Sequence, residues 1–402
     1  MAGPVGIIAA LDTKGAEARF LRDAIAARGL ATLVIDVGVL GAPAFAADVS
    51  RAAVAAAGGA DLAALVASQD KAAAMAAMTQ GAAAVAARLH AEGRLGALIG
   101  LGGSAGTAIA TSAMRALPVG VPKLAVSTVA AGDTRPYVGT KDVTLMYSVV
   151  DIAGINRLSA RILTNAAAAI AGMATAEPPR LAERPLIAAS MFGNTTACVD
   201  RARAALEAAG YEVLVFHATG AGGRTMESLI ADGYIAGVLD VTTTEWADEL
   251  CGGVFSAGPT RLEAAAAAGV PQVLAPGCLD MVNFGAPETV PARYRDRQLY
   301  RWNPNVTLMR TTPEENAELG RILAEKANAA RGPVAILLPL RGVSQLDSPG
   351  QPFWWPAADR ALYDAITAHV RPGILVEEID ANINDPAFAD RAAGLLLEML
   401  KR

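Results

Sequence analysis

Hydrophobic residues in the first part of the chain form short uninterrupted runs that alternate with longer segments of helical periodicity. Such runs are typical of parallel strands that are buried on both faces. The predicted strands are 6–11, 31–37, 95–101 and 123–127, and the helical segments among them are 16–28, 48–57, 71–92 and 106–117. This alternation predicts a doubly wound sheet with helices on both of its faces.

A long alanine-rich helix is predicted over 156–176, and the run Glu177-Pro178-Pro179-Arg180 stops it. The strand pattern then restarts. The predicted strands of this second part are 186–190, 212–216, 237–241, 272–275, 307–309, 334–338 and 374–377. The stretch from Thr311 and Thr312 through Pro313 to Glu315 predicts a helix start, because a hydroxyl cap, a proline and acidic residues suit a helix N-terminus.

The length of 402 residues exceeds what one hydrophobic core usually supports. We therefore predict two α/β domains, 1–178 and 184–402, each doubly wound and Rossmann-like with a mainly parallel sheet.

A glycine-rich turn joins the third predicted strand to the following helix. Glycine lets the backbone approach a ligand closely, and the helix start presents unpaired N–H groups and a partial positive charge. The residues predicted to bind a phosphate or carboxylate are Gly102, Gly103, Ser104, Gly106 and Thr107. The turn matches neither GxxxxGK[ST] nor a strict GxGxxG, so a turn that serves packing alone is the alternative.

Polar residues after other strands of the first domain are expected at the same sheet edge, where ligands of parallel sheets collect. They are Asp12, Thr13, Lys14, Ser127, Thr128, Asp151 and Asn156. Lys14 would be a mobile cation beside the glycine turn. An ATP site needs N–H donors, a cation, and hydroxyls or a carboxylate near Mg²⁺, and this set offers them all. The alternative is a sheet edge of ordinary caps with a solvated Lys14.

In the second domain, polar residues at strand ends are the candidates for catalysis: His217, Glu245, Asp280 and Arg310. Of the three histidines, His90 and His369 are predicted on exposed helical turns, which leaves His217 as the candidate acid or base. Glu245 follows three threonines, so a helix cap is its alternative role. A satisfied structural histidine is likewise the alternative for His217. No sequence feature assigns a metal ligand.

The net charge of −5 and pI near 5.4 favour neither nucleic acid nor an anionic membrane surface as a partner. No apolar run approaches the ~18–20 residues of a membrane span, and no signal peptide is recognised. Three widely spaced cysteines fit reduced thiols. We therefore expect a cytoplasmic protein.

Several uncommon blocks of this sequence closely resemble those of the UPF0261, or Tm-1-like ATP-binding, family. The blocks are Asp12-Thr13-Lys14-Gly15, Gly102-Gly103-Ser104 with Gly106-Thr107, Gly120-Val121-Pro122-Lys123, Val126-Ser127-Thr128, the run 147–156, 216–220, Leu239-Asp240 with 242–245, 280–284 and 307–311. They follow the family's order nearly end to end. The resemblance implies two α/β domains, ATP bound at the first, and self-association. Two departures are Ala105, where the family usually has Gly, and Ala9-Ala10, where it usually has Gly-Thr.

The leading expectation is an ATP-dependent enzyme that acts on a small polar metabolite in a cleft between the domains, with ATP and Mg²⁺ as cofactors. One alternative is a non-catalytic, nucleotide-responsive binding protein. Another is an ATP-independent hydrolase or lyase centred in the second domain. The resemblance and the alanine-rich helices, whose small faces permit close packing between subunits, lead us to expect a homodimer or higher homo-oligomer. Two-fold dimers are the most frequent closed assemblies.

Overall fold

A computed structural model describes residues 3–179 and 183–401 of the chain. The chain divides into two compact units, Met1–Arg180 and Leu181–Arg402. Each unit has its own parallel sheet, so the predicted α/β class with two doubly wound, Rossmann-like domains is confirmed.

The first unit contains a five-stranded sheet in the order β2-β1-β3-β4-β5, with all neighbouring pairs parallel. Its strands are β1 Val5–Ala9, β2 Thr32–Asp36, β3 Ala97–Gly102, β4 Lys123–Ser127 and β5 Thr144–Tyr147. Its helices are α1 Gly15–Ala26, α2 Arg51–Ala57, α3 Leu62–Ser68, α4 Lys71–Ala91, α5 Ser104–Arg115, α6 Arg135–Val138 and α7 Arg157–Thr175.

Two apolar clusters cover the two faces of this sheet. Ile7 faces a cluster with α1 and α7, whereas its neighbour Ile8 faces a cluster with α2, α4 and α5. The strands are therefore continuous apolar runs, because alternate side chains are buried on opposite faces. The alanines and glycines of α2 and α4 permit a close crossing: a Cβ on Gly81 would lie 1.9 Å from the Val54 carbonyl oxygen.

The second unit contains a six-stranded parallel sheet in the order β14-β13-β9-β8-β6-β7. The strands of the unit are β6 Leu186–Met191, β7 Glu212–His217, β8 Ile235–Thr242, β9 Gln272–Gly277, β10 Met281–Phe284, β11 Leu299–Asn303, β12 Val306–Arg310, β13 Val334–Pro339 and β14 Leu375–Ile379. Its helices are α8 Thr196–Ala208, α9 Ala221–Ala231, α10 Glu245–Cys251, α11 Ala264–Ala268, α12 Pro313–Asn328, α13 Pro356–His369 and α14 Pro386–Leu400.

The strand predicted at 307–309 forms, but it does not join the parallel sheet. As β12 it pairs antiparallel with β10 and β11 in a separate three-stranded sheet. β5, β10 and β11 were not predicted from the sequence. β10 is only four residues long and β11 is largely exposed, so neither produces the long buried run by which the other strands were recognised.

The helix start predicted at Thr311 to Glu315 is confirmed, and α7 begins one residue after the predicted position 156. The Thr312 hydroxyl accepts from Glu315 N–H, the Glu315 carboxylate accepts from Thr312 N–H, and Pro313 begins α12. Asn156 and Ser159 form the corresponding reciprocal cap at the start of α7. Both caps satisfy N–H groups that a helix leaves unpaired, so local sequence is enough to specify them.

Candidate functional site

Two helices of the first unit begin at the point where the strand order of its sheet reverses. From β1 the chain goes outward to β2, and it then returns to β3 on the other side of β1. The helices that follow β1 and β3 are α1 and α5, with Lys14 and Gly103 at their N-caps. Within the described residues, neither N-terminus receives a hydrogen bond from a capping side chain. Free N–H groups and helix dipoles at such a reversal favour an anion.

The three predicted glycines of the 102–106 turn have different surroundings. A Cβ on Gly102 would lie 2.7 Å from Gly106 Cα, and one on Gly106 would lie 3.1 Å from the Leu101 carbonyl oxygen. A Cβ on Gly103 would meet only Thr128 Oγ1, at 3.7 Å. Gly102 therefore leaves no room for a side chain and Gly106 leaves little, whereas Gly103 leaves open space beside the start of α5.

The hydroxyl groups near this turn divide into two kinds. Thr107 and Ser127 are buried and bonded to each other, and Ser127 Oγ also accepts from Val129 N–H at 3.1 Å. Thr128 is half-buried, and its hydroxyl has no hydrogen-bond partner in the part of the chain that the structure describes. Ser104 is exposed at the first position of α5. Thr128 and Ser104 are therefore better placed than Thr107 and Ser127 to bind a ligand.

Lys14 is not the mobile cation that we expected. Its ammonium donates to the Ile152 carbonyl oxygen, and Glu17 accepts from Gly154 N–H at 2.5 Å. Together they hold the segment after β5 to the start of α1. Asp151 accepts from the adjacent Ile152 N–H at 2.8 Å.

The remaining predicted binding residues of this edge also have local roles. Asn156 caps α7, and Thr13 is exposed after β1. Asp12 Oδ2 accepts from the N–H groups of Leu40 and Gly41 at 2.7 and 3.1 Å. Asp12 Oδ1 is buried and, among the described residues, has no hydrogen-bond partner.

In the second unit, the glycine-rich loop before α9 already binds an internal carboxylate. Glu245 Oε1 accepts from Gly220 N–H at 2.7 Å and from Gly223 N–H at 3.0 Å. Its Oε2 accepts from Arg261 Nε at 2.7 Å, and Arg261 also binds Asp240 through two nitrogens. All these contacts are buried. The arrangement makes Glu245 a structural anion of this loop, and its predicted catalytic role remains a prediction.

Asp280 and Arg310 lie together in a second buried network. Arg310 Nη2 donates to Asp359 Oδ1 at 2.7 Å and lies 3.5 Å from Asp347 Oδ1. Asp280 Oδ2 accepts from Ser344 Oγ at 2.8 Å, whereas Asp280 Oδ1 is without a partner among the described residues. We expected Arg310 to reach the site from the end of a parallel strand. It comes instead from β12 of the antiparallel sheet, whose register places Arg310 opposite Met281.

Burial raises the pKa values of the three carboxyl groups around Arg310, and the positive charge of Arg310 offsets only part of that rise. Burial, and then the charge of Asp347, raise the pKa of Asp280 to about 7. Burial and the same neighbour raise the pKa of Asp359 to about 8. Asp359 was not predicted as a site residue, because it lies in the first turn of α13, where an acidic residue is an ordinary helix feature.

His217 takes no part in the hydrogen bonds of these two networks among the described residues. It ends the edge strand β7, is exposed, and stacks on Phe192 with ring centroids 5.4 Å apart. No hydrogen bond or ion pair involves its ring in the described ranges 3–179 and 183–401. The catalytic role of His217 therefore remains a prediction.

Among the described residues, no group of three or more histidine, cysteine or acidic side chains could hold a metal ion. In the same residues, no single helix is long and apolar enough to cross a membrane. Among these residues, only the bent pair α2 and α3, taken together, has the length and apolar composition that a membrane span needs.

Comparison with known proteins assigns both halves of the chain to one family. Residues 4–179 match the N-terminal domain, and residues 184–400 the C-terminal domain, of a family described as "Uncharacterised protein family (UPF0261)". A UPF0261 protein of Clostridium tetani is 52% identical over 398 residues, which cover 98% of each chain. A UPF0261 protein of Rhizobium meliloti is 46% identical over 390 residues, which cover 96% of this chain and 97% of the relative.

A plant protein shows similarity to most of the chain. The tomato (Solanum lycopersicum) ToMV resistance protein Tm-1(GCR237) is 44% identical over 316 residues, which cover 77% of this chain and 42% of the tomato protein. The matches to both domain models and to full-length relatives confirm the predicted resemblance, and the chain belongs to the UPF0261 family.

Proposed function

We propose that the first unit binds ATP, with its phosphates at the N-termini of α1 and α5. The observation that carries this proposal is the position of these two helix starts, side by side at the reversal of strand order and without side-chain caps among the described residues. A polyphosphate supplies the negative charge and the acceptors that such helix ends lack. The resemblance to Tm-1-like ATP-binding proteins supports ATP as the nucleotide.

Side chains around the turn supply further donors. The Thr128 hydroxyl lies beside the open space at Gly103, and Ser104 is exposed one residue further on. The Lys14 ammonium has three N–H donors, of which the Ile152 carbonyl takes one. Lys14 therefore acts as a positioned cation at the α1 end of the site.

The donor set also fits Mg²⁺ that arrives with the nucleotide. Protein-bound Mg²⁺ keeps several waters and needs only one or two carboxylates besides phosphate oxygens. Asp12 Oδ1, which has no partner among the described residues, is the candidate carboxylate at this edge. When bound, Mg²⁺ would neutralise phosphate charge.

Transfer from ATP to a small polar metabolite is the second half of the proposal. Asp280 and Arg310 are 0% and 1% exposed, so a substrate reaches them only after a local opening. His217 is exposed and needs no such opening. Release of ADP or AMP in the presence of a metabolite pool would support transfer, whereas ATP binding without turnover would favour a nucleotide-responsive binding protein.

Substitution of Gly103 tests the binding site directly. Alanine fits the fold, because its methyl group would make ordinary contact with Thr128 Oγ1, and valine adds bulk at the same place. We expect Gly103→Ala, and more strongly Gly103→Val, to weaken Mg-ATP binding by about 1–3 kcal/mol in calorimetry, as phosphate contacts are lost.

The matched control is Gly172→Ala, on an exposed position of α7 where an added Cβ meets nothing within 4 Å. This variant should bind ATP like the wild type. Full ATP affinity in a folded Gly103→Val variant would reject this placement of the phosphates.

A further inference from the structure

A second candidate binding site lies wholly within the second unit. It is a cavity of about 790 Å³ at the carboxyl ends of β6, β13 and β14. The start of α8 contributes Asn194, Thr196 and Ala197 to its wall, and the segments after β13 and β14 contribute Arg341 and Asn384. This volume suits a small metabolite.

Asn194 in this wall has an unused acceptor. The residue is 1% exposed, and in the described part of the chain its Oδ1 has no hydrogen-bond partner. Its backbone is held firmly, because its carbonyl oxygen accepts from Asn384 Nδ2 at 2.9 Å and from Gln345 N–H at 3.1 Å. A buried acceptor without a partner is costly, and a ligand hydroxyl that reaches it through a small local movement of the cavity wall would satisfy it.

Part of the cavity wall presents N–H donors and one cationic side chain, Arg341. The N-cap of α8 is Thr195, whose side chain makes no capping hydrogen bond. Asn384 Oδ1 accepts from Cys198 N–H at 3.4 Å, and no described side chain binds the N–H groups of Thr196 and Ala197 at the start of this helix of 13 residues. Arg341 donates to Asp380 through Nε and Nη2 at 2.7 and 2.8 Å, which leaves Nη1 outside that ion pair. A helix start and a guanidinium on one wall favour an oxyanion.

The other lining groups are acceptors and amides. Asp200 and Asp385 line the cavity together with Gln345 and Ser348, and the residues that line it include no aromatic side chain. Carboxylates and amides of this kind bind hydroxyl groups. Asp385 and Ser348 already accept hydrogen bonds from Asn382. The side chains of Asp200 and Gln345 have no hydrogen bond among the described residues, and a bare anion or a flat apolar molecule would leave these two without partners.

We propose that this cavity binds a polyhydroxylated metabolite with one oxyanion, either a sugar phosphate or a sugar acid. The oxyanion lies at the start of α8, and a hydroxyl donates to Asn194 Oδ1. This site is independent of the proposed nucleotide site, because it uses residues of the second unit alone.

Four probes separate the parts of the proposal: glucose 6-phosphate, gluconate, glucose and inorganic phosphate. Calorimetry on the full chain should show glucose 6-phosphate or gluconate binding at least about tenfold more tightly than glucose and inorganic phosphate. The tighter of the first two identifies phosphate or carboxylate as the oxyanion. No binding of any probe up to about 10 mM would overturn the proposal.

Ala197→Glu tests the position of the oxyanion. Ala197 is exposed in the first turn of α8, where an acidic residue favours the helix, so the fold is retained. The added carboxylate should weaken the binding of the preferred probe at least about tenfold by repulsion. The matched control Ala197→Gln has nearly the same shape without the charge, and it should bind within about threefold of the wild type.

Equal weakening of binding by both substitutions would overturn the placement of the oxyanion at α8. Unchanged binding in both variants would overturn it as well. The two proposed sites are told apart with the same proteins. Ala197→Glu should leave Mg-ATP affinity unchanged, and Gly103→Val should leave binding of the sugar probe unchanged. Failure of one proposal therefore does not imply failure of the other.

Discussion

The hydroxyl oxygens of Thr107 and Ser127 lie 2.7 Å apart and join the first turn of α5 to the end of β4. Thr107 is 1% exposed and Ser127 0%. The pair fixes the glycine turn against the neighbouring strand. It positions the proposed phosphate site, and the neighbouring Thr128 is the hydroxyl available to a ligand.

Thr128→Val should reduce ATP affinity with little change in stability. The Thr128 hydroxyl has no protein partner among the described residues, so its loss costs the fold little. We expect Mg-ATP binding to weaken by about 1 kcal/mol, as for one neutral hydrogen bond. Calorimetry measures the affinity, and urea unfolding measures the stability.

Thr107→Val is the matched control for that experiment. It removes a buried hydrogen bond, so it should lower the free energy of unfolding by about 1–2 kcal/mol. A Thr128→Val protein that is destabilised as much as Thr107→Val would contradict the assignment of Thr128 to the ligand.

Asp280→Asn should reduce the dependence of stability on pH. In the unfolded chain an aspartate titrates near pH ~3.9, whereas burial raises the pKa of folded Asp280 to about 7. The protonated carboxyl therefore stabilises the fold most below the unfolded pKa. This contribution to the free energy of unfolding is lost as pH rises through about 7. The free energy of unfolding then falls by at most about 1.4 kcal/mol per pH unit.

Urea unfolding between about pH 5 and 8 measures this slope, which should be flatter in Asp280→Asn than in the wild type. Asp364→Asn, at an exposed position of the same unit with 69% of its side chain accessible, is the control and should keep the wild-type slope. An Asp280→Asn slope equal to that of the wild type would show that Asp280 titrates normally.

His217→Ala should leave the fold nearly unchanged. His217 is exposed and contacts the Phe192 ring, so we expect a stability loss of no more than about 1 kcal/mol. Loss of turnover without loss of ATP affinity would then support a catalytic role. Melting temperature, ATP affinity and ADP release on the same variant separate these effects.

Glu245→Gln provides the contrast, because Glu245 is buried against Arg261. Removal of one partner of a buried ion pair should destabilise the protein by about 3–5 kcal/mol. A His217→Ala variant that loses as much stability as Glu245→Gln would instead identify His217 as a structural residue.

Self-association, which the family resemblance implies, has a testable surface in the first unit. Tyr147, Val149, Ile155 and Leu158 are 44%, 56%, 42% and 46% exposed, close in sequence around the edge strand β5 and the start of α7. Light scattering should show a species larger than the 41.0 kDa monomer. Leu158→Asp should shift it toward the monomer, since the charge opposes burial while it suits a helix start.

Leu40→Asp is the control, because Leu40 is 80% exposed outside this group of residues. It should keep the wild-type mass. A wild-type protein that is monomeric at micromolar concentration would remove the prediction of self-association.

Local sequence determined the α/β class of this protein, the strands of its parallel sheets except β5, and most of the long helices of the first unit. A parallel strand buried on both faces must be a continuous apolar run, and helix starts such as those at Asn156 and Thr312 need only residues within one turn. The glycine turn at 102–106 was recognised for the same reason, because its conformation depends on its own residues.

Tertiary structure alone decided which polar residues are free and which are bound. Lys14 donates a hydrogen bond to a carbonyl oxygen 138 residues away. Glu245 accepts hydrogen bonds from N–H groups of a loop 22 to 25 residues before it. Arg310 donates to Asp359, which lies 49 residues later in the chain. The pairing of β12 outside the parallel sheet is also a long-range choice. Hydrophobic periodicity and helix caps depend on residues that are close in sequence. The partner of a charged side chain is instead a residue that the fold places close in space, at any distance along the chain.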